Sequence, residues 1–162
     1  MTSIPHKQAT LAFIIRDGKI LLGHKIRKGA DIGEGTLNGP GGKVEQGQSL
    51  EENLAEEVMA EIGLTVLTAR KVAEIVFHNG TRNRFEVHVF IVTEFTGEPH
   101  ESDEMREPDD GWWHDTDELP FDRMLASDRE WVPRVLRGER LRGEVFQNDD
   151  GSVFTRTHFE TY

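Results

Sequence analysis

Residues 41–64 read GGKVEQGQSLEENLAEEVMAEIGL, and the pattern within them decides what surrounds them. Ser49 with Glu52 three residues on is the sequence of a capping box, in which each side chain satisfies a backbone N–H left over by the first helical turn. Leu50, Leu54, Val58 and Ile62 then recur every fourth residue, with Ala55 beside them, and mark a face turned toward a core. Gly63 supplies a stop, because glycine takes the left-handed conformation that closes a helix. The spacing predicts a helix over 49–62.

The other face of that helix is crowded with like charge. Glu52 and Glu56 are neighbours four residues apart, and so are Glu57 and Glu61. Each such pair costs roughly 0.2–0.5 kcal/mol. Glu61 also lies in the last turn, where the helix dipole disfavours an anion by about 0.3–1 kcal/mol. No Lys or Arg occurs between Lys43 and Arg70 to offset this. Either the face is solvated, or hard cations compensate it. Oxygen ligands without cysteine or an ordered histidine pair suit Mg²⁺ or Mn²⁺ rather than zinc.

Outward from the helix the chain reads mostly as strands. Residues 10–15 (TLAFII) and 19–22 (KILL) flank Asp17-Gly18, a hairpin signal. Residues 23–42, rich in glycine and charge, read as a long loop, and such loops are usually functional. Strands are expected over 72–77 and 85–95, with a turn at Asn79-Gly80, then an acidic loop over 100–111 and a short strand from Trp112 and Trp113. A second helix is expected over 128–136, and a closing hairpin pairs 142–146 with 153–159 around Asp149-Asp150-Gly151. The sum is an α+β fold with a mixed sheet and two helices.

Composition bounds the function. With 162 residues, 36% of them hydrophobic and 30% charged, the chain suits one globular domain spanning 1–162. A net charge of −11 argues against nucleic acid as a partner. It would also repel a phosphate ligand unless a cation stood between them. No apolar run is long enough for a membrane span. The N-terminus has no targeting pattern, and zero cysteines exclude disulfides and cysteine-based metal sites. A cytoplasmic protein is expected. Residues 33–38 and Gly42-Lys43 fail the dinucleotide and P-loop patterns, the histidines form no HExxH motif, and His88 reads as a structural strand residue.

The stretch 42–64 resembles the Nudix box, GX5EX7REUXEEXGU with U a bulky aliphatic residue. Gly42, Glu57, Val58, Glu61, Gly63 and Leu64 stand at matching positions. Similarity to MutT-type Nudix hydrolases extends to Thr10, Lys25, Leu37-Asn38-Gly39, the segments EVHVF and ESDEM, and Trp131. The resemblance implies a Nudix fold, a mixed sheet packed between helices as an α/β/α sandwich. It also implies a Mg²⁺- or Mn²⁺-dependent pyrophosphohydrolase of nucleoside triphosphates, 8-oxo-dGTP among them. Glu57, Glu61 and Glu104 are then the catalytic carboxylates and, with the Gly41 carbonyl, the metal ligands. Lys25 lines the phosphate cleft, while Asn38 and Asp128 bond the purine. Thr10, Phe77, Met105 and Trp131 are pocket walls or, equally, core packing.

The chain departs from the family pattern at five places. Gln48 and Glu56 replace a Glu–Arg ion pair, so a hydrogen bond from Gln48 to Glu56 is expected instead. Ala60 removes a metal-binding carboxylate. Ser127 replaces an aspartate and Leu125 a stacking tryptophan, and leucine offers no π-face. Two alternatives therefore stay open: a Nudix-fold module that binds a nucleotide without hydrolysing it, or a hydrolase of another nucleoside diphosphate derivative.

Overall fold

A computed structural model describes residues 6–26 and 35–162. The expected helix, α1, runs Leu50–Ile62, with the reciprocal Ser49–Glu52 capping box formed and Gly63 closing it at a φ of 74°. Leu54, Val58 and Ile62 are buried as the periodicity requires. Ala55 is not: it is exposed, and Asn53 and Glu61 are buried in its stead. Ala55 lies about 100° around the helix from Leu54, on the solvent flank. The flank of Asn53 and Glu61 instead leans on the glycine strand that precedes the helix.

Strand β1 (His6–Arg16) turns at Asp17-Gly18, both with positive φ, into β2 (Lys19–Leu21). That turn has the twist a two-residue hairpin needs. The segment 23–42, expected as a loop, carries three short strands: β3 (Gly23–Lys25), β4 (Leu37–Asn38) and β5 (Gly41–Lys43). Residues 27–34 of it lie outside the described residues. These strands are two or three residues long and rich in glycine, so backbone pairing defines them and side-chain alternation does not mark them.

After α1 come β6 (Thr65–Asn79) and β7 (Asn83–Thr96), which contain the expected strands and run well past the apolar stretches. The acidic loop holds β8 (Met105–Arg106), paired with β3. Then follow β9 (Trp113–Asp115), α2 (Asp128–Leu136), β10 (Leu141–Gln147) and β11 (Phe154–Thr161).

The main sheet has the order β11-β10-β6-β7-β1-β2-β9, with β5 also paired to β1; β4-β3-β8 form a small second sheet. The pairs β1–β7 and β6–β10 are parallel within an otherwise antiparallel arrangement, so the sheet is mixed. Strand alternation sends Leu11, Phe13, Val89 and Ile91 to one face, against Trp131, Val132 and Val135 of α2. It sends Ala12, Ile14, Phe90 and Val92 to the other, against Leu54, Val58 and Ile62 of α1. Each large side chain so buried contributes roughly 1.5–3 kcal/mol. One sheet with a helix on either face is the expected sandwich.

Candidate functional site

Glu57 and Glu61 of α1 meet Glu104, which directly precedes β8, with one oxygen from each lying within 4.8 Å of the others. Pairing of β8 with β3 brings Glu104 there, and the Ile26 N–H donates to the Glu104 carbonyl at 2.9 Å. Glu61 is 1% exposed and accepts from the Gly41 N–H at 2.7 Å. Glu57 lies over Gly42 so closely that a Cβ there would sit 2.7 Å from its carboxyl carbon. Only glycine lets the helix and β5 approach this far.

Burial pushes the Glu57 carboxyl up to about 7, helped by the charges of Glu61 and Glu104 and partly opposed by Lys25. Three crowded carboxylates with oxygen donors alone are a setting for a hard divalent cation, which would relieve that repulsion. Lys25 is buried too, its Nζ 3.7 Å from Glu61 Oε1 and 3.4 Å from the Gly41 carbonyl. It therefore sits among the carboxylates, and the Gly41 carbonyl accepts from its ammonium.

A hydrogen-bonded bracket supports this cluster. Gln48 Nε2 donates to Glu56 Oε2 at 2.5 Å, the link expected in place of an ion pair. Gln48 Oε1 accepts from the Glu45 N–H and from Asn53 Nδ2 at 3.0 and 3.1 Å. Glu56 is thus engaged away from the three carboxylates, and Ala60 is exposed. Asn53, which the sequence reading passed over, also donates to the Lys43 carbonyl and accepts from the Thr10 hydroxyl at 2.5 Å. Thr10 borders the pocket described next, but its hydroxyl ties β1 to α1, on the opposite face of the strand.

On the α2 side of the sheet lies a cavity of about 420 Å³, within the size of small-molecule sites. Phe77, Phe85, Val87, Leu125 and Trp131 supply its apolar wall, and Asn38 and Asp128 line it as expected. Trp131 stacks on Phe13 at 5.7 Å and meets Phe77 edge-on at 6.5 Å. Met105 does not belong to this wall. It is fully buried in the α1-side core, packed under Gly23 and Trp112, because β8 faces that core.

Asp128 is 3% exposed, and burial pushes its carboxyl up to about 7 against smaller opposing influences of the Leu125 backbone and the Trp131 indole. Ser127 Oγ and Gln147 Oε1 are buried with no hydrogen-bond partner among the described residues. Sequence reasoning missed Gln147 and, with it, Asn79 and Asn83, which also line the cavity. A signal existed: on this face Ala73, Ile75 and Phe77 of β6, and Leu141 and Val145 of β10, are apolar, and Asn79 and Gln147 break the rows. Lys7, Lys25, Lys43 and Arg82 line the same cavity, gathering positive charge in a chain of net −11.

Gly41 and Gly42 line the cavity on one side and hold the carboxylates on the other. A strand, glycine turn and acidic helix in this relation define the Nudix fold. The NUDIX domain family matches residues 5–135, and the chain belongs to that family. It is 40% identical over 146 residues to the oxidized purine nucleoside triphosphate hydrolase of Danio rerio, covering 89% of each chain. It is 35% identical over 143 residues to the protein of the same name from Mus musculus, covering 87% of each. Among solved structures, the MutT protein of Bacillus halodurans superimposes with a TM-score of 0.74 at 20% identity, over 95% of this chain and 97% of that one.

Proposed function

We propose that this chain is a divalent-cation-dependent hydrolase of nucleoside triphosphates, acting on oxidised purine nucleotides such as 8-oxo-dGTP to give the monophosphate and pyrophosphate. The observation that carries the reading is the shared wall of Gly41 and Gly42. A base held in the cavity by Trp131, Phe77, Asn38 and Asp128 leads its phosphates past Lys25 toward Glu57, Glu61 and Glu104. The names of the fish and mouse relatives, and of the 8-oxo-dGTP diphosphatase of Haemophilus influenzae at 30% identity, support the substrate class.

Glu57, Glu61 and Glu104 would hold Mg²⁺ or Mn²⁺. A bound cation of this kind neutralises phosphate charge and lowers the pKa of coordinated water. Around it the chain's own groups orient the reaction. Glu61 is fixed by the Gly41 N–H, and Gln48 and Asn53 hold the start of α1 against β5. Lys25 stands where it can exchange its contact with Glu61 for a phosphate oxygen. No helix among the described residues is long and apolar enough to cross a membrane. The lack of cysteine is compatible with a reducing compartment such as the cytoplasm.

Product analysis with purified protein, Mg²⁺ or Mn²⁺ and a nucleotide panel tests the reading. Monophosphate and pyrophosphate from 8-oxo-dGTP are expected. Return of every nucleotide intact, with binding retained, would make the chain a sensor instead, the alternative favoured by Ala60 and by the engagement of Glu56 with Gln48. Cleavage confined to nucleoside diphosphate derivatives would move the substrate class.

A further inference from the structure

Three amides stand in one row across three strands. Gln147 of β10 is in register with Asn79 of β6, and Asn79 with Asn83 of β7. Their exposures are 5%, 1% and 8%. Gln147 Nε2 donates to Asn79 Oδ1 at 2.7 Å, and Asn79 Nδ2 donates to Asn83 Oδ1 at 2.7 Å. The row fixes the rotamer of Gln147 and leaves its Oε1 as a buried acceptor with no partner among the described residues, in the wall of the cavity.

A row meant only to tie strands together would be expected to close on itself. Buried polar atoms are nearly always satisfied, and an exception calls for an explanation. The backbone here already joins these strands, down to the Gly80 N–H donating to the Gln147 carbonyl at 2.9 Å, so the side chains are not required for pairing. Hydrophobic side chains would fill the same row with less desolvation, as Val145, Phe77 and Phe85 do one step along.

We propose that Gln147 is a specificity-determining residue for the nucleotide base, its amide oxygen accepting a hydrogen bond from an N–H on the base edge, with Asn79 and Asn83 as positioning residues. This rests on the reading of the cavity as the base site. The ligand class is a purine presenting an N–H to the cavity wall, either an exocyclic amine or the N7–H of an 8-oxopurine. Asp128 and Trp131, which line the same cavity, supply further polar groups. Leu125, whose methyl Cδ2 lies 2.9 Å from where a Gly151 Cβ would be, closes the approach beside Gln147.

Binding of purine nucleoside monophosphates separates this from catalysis, because it needs no hydrolysis. Titration calorimetry with guanosine, inosine, adenosine and 8-oxoguanosine monophosphates compares bases that present different N–H groups: the 2-amine, the 6-amine, N1–H and the N7–H that accompanies an 8-oxo group. The wild-type chain should favour one N–H-bearing base over its counterpart, and Gln147→Leu should remove that preference by about 10- to 100-fold while leaving the weaker ligand unchanged. The triple variant Asn79→Leu, Asn83→Leu and Gln147→Leu removes the whole row, leaving none of its amides unsatisfied, and should give the same loss if the single variant folds poorly. A melting curve reports the fold, and base preference is a readout that a purely structural role would not move. Equal loss for all four bases, or an unchanged order of preference, overturns the assignment. Failure to hydrolyse any triphosphate would sink the enzymatic reading while the base-preference result stood on its own.

Discussion

Asp128 offers a prediction whose size can be worked from its burial. Its carboxyl, ordinarily near 3.8, is held at about 7 because the site is desolvated. The native state therefore keeps a proton that the unfolded chain has already released between those two values. Stability from this group is fully present below pH about 4, falls as pH rises through the window, and reaches its full deficit above about 7. At 1.36 kcal/mol per pH unit the deficit is roughly 4 kcal/mol, an upper bound because local relaxation and water entry reduce it. An asparagine at this position would be close in shape to the protonated carboxyl and would not titrate. Urea unfolding of wild type and Asp128→Asn from pH 4 to 9 should give curves that converge at the acid end. They should diverge to a few kcal/mol above pH 7, with the variant the more stable. Glu57, also held near 7, is present in both chains and cancels in the difference. A stability difference that stays flat across this range would refute the reasoning.

Other perturbations address the carboxylates. Glu61→Gln keeps an acceptor for the Gly41 N–H but removes the charge, so cation-dependent turnover should fall at least about 100-fold in a kinetic assay; near wild-type rates would place the chemistry elsewhere. Gly42→Ala drives a methyl into the Glu57 carboxylate, and Mn²⁺ affinity measured by calorimetry should drop about tenfold or more, an unchanged affinity counting against Glu57 as a ligand. Gln48→Ala removes the bonds to Glu56 and Asn53. Because the site is exposed, unfolding should show a loss of only about 1 kcal/mol; a loss several times larger would mean that the bracket is a folding element in its own right.

Much of this fold was legible because its strongest signals are local. The capping box, the four-residue apolar repeat and the glycine stop specify α1 without any tertiary knowledge. The expected bounds of α2, 128–136, also match, although no side-chain cap marks its start. What escaped depends on contacts distant in sequence. β3, β4, β5 and β8 exist through backbone pairing, and no pattern in two or three residues can announce that. Ala55 has the spacing of a core residue but sits on the wrong side of an arc tilted toward β5. Glu57 and Glu61 were legible because a motif carries their spacing, and Glu104 through the resemblance of the ESDEM segment. Met105, open between pocket wall and core, belongs to the core, because the resemblance gives its position but not the direction of its side chain. Thr10 was placed at the pocket without the information that its hydroxyl would be claimed by Asn53. The amide row joins residues 79, 83 and 147, and only the register of three strands brings them together.

The two sides of the Gly41-Gly42 wall are built from different parts of the chain. The carboxylates come from α1 and the residue before β8, whereas the side chains beyond the wall come from β1, β6, β7, β10 and α2, with Lys25, Asn38 and Lys43 beside them. On the proposed reading, ligand choice and bond-breaking therefore rest largely on different side chains. On that reading, mutations at Leu125 or Gln147, which line the cavity, should retune what is admitted without touching Glu57 or Glu61. The glycine pair itself has no such latitude: a side chain there would disturb both compartments at once.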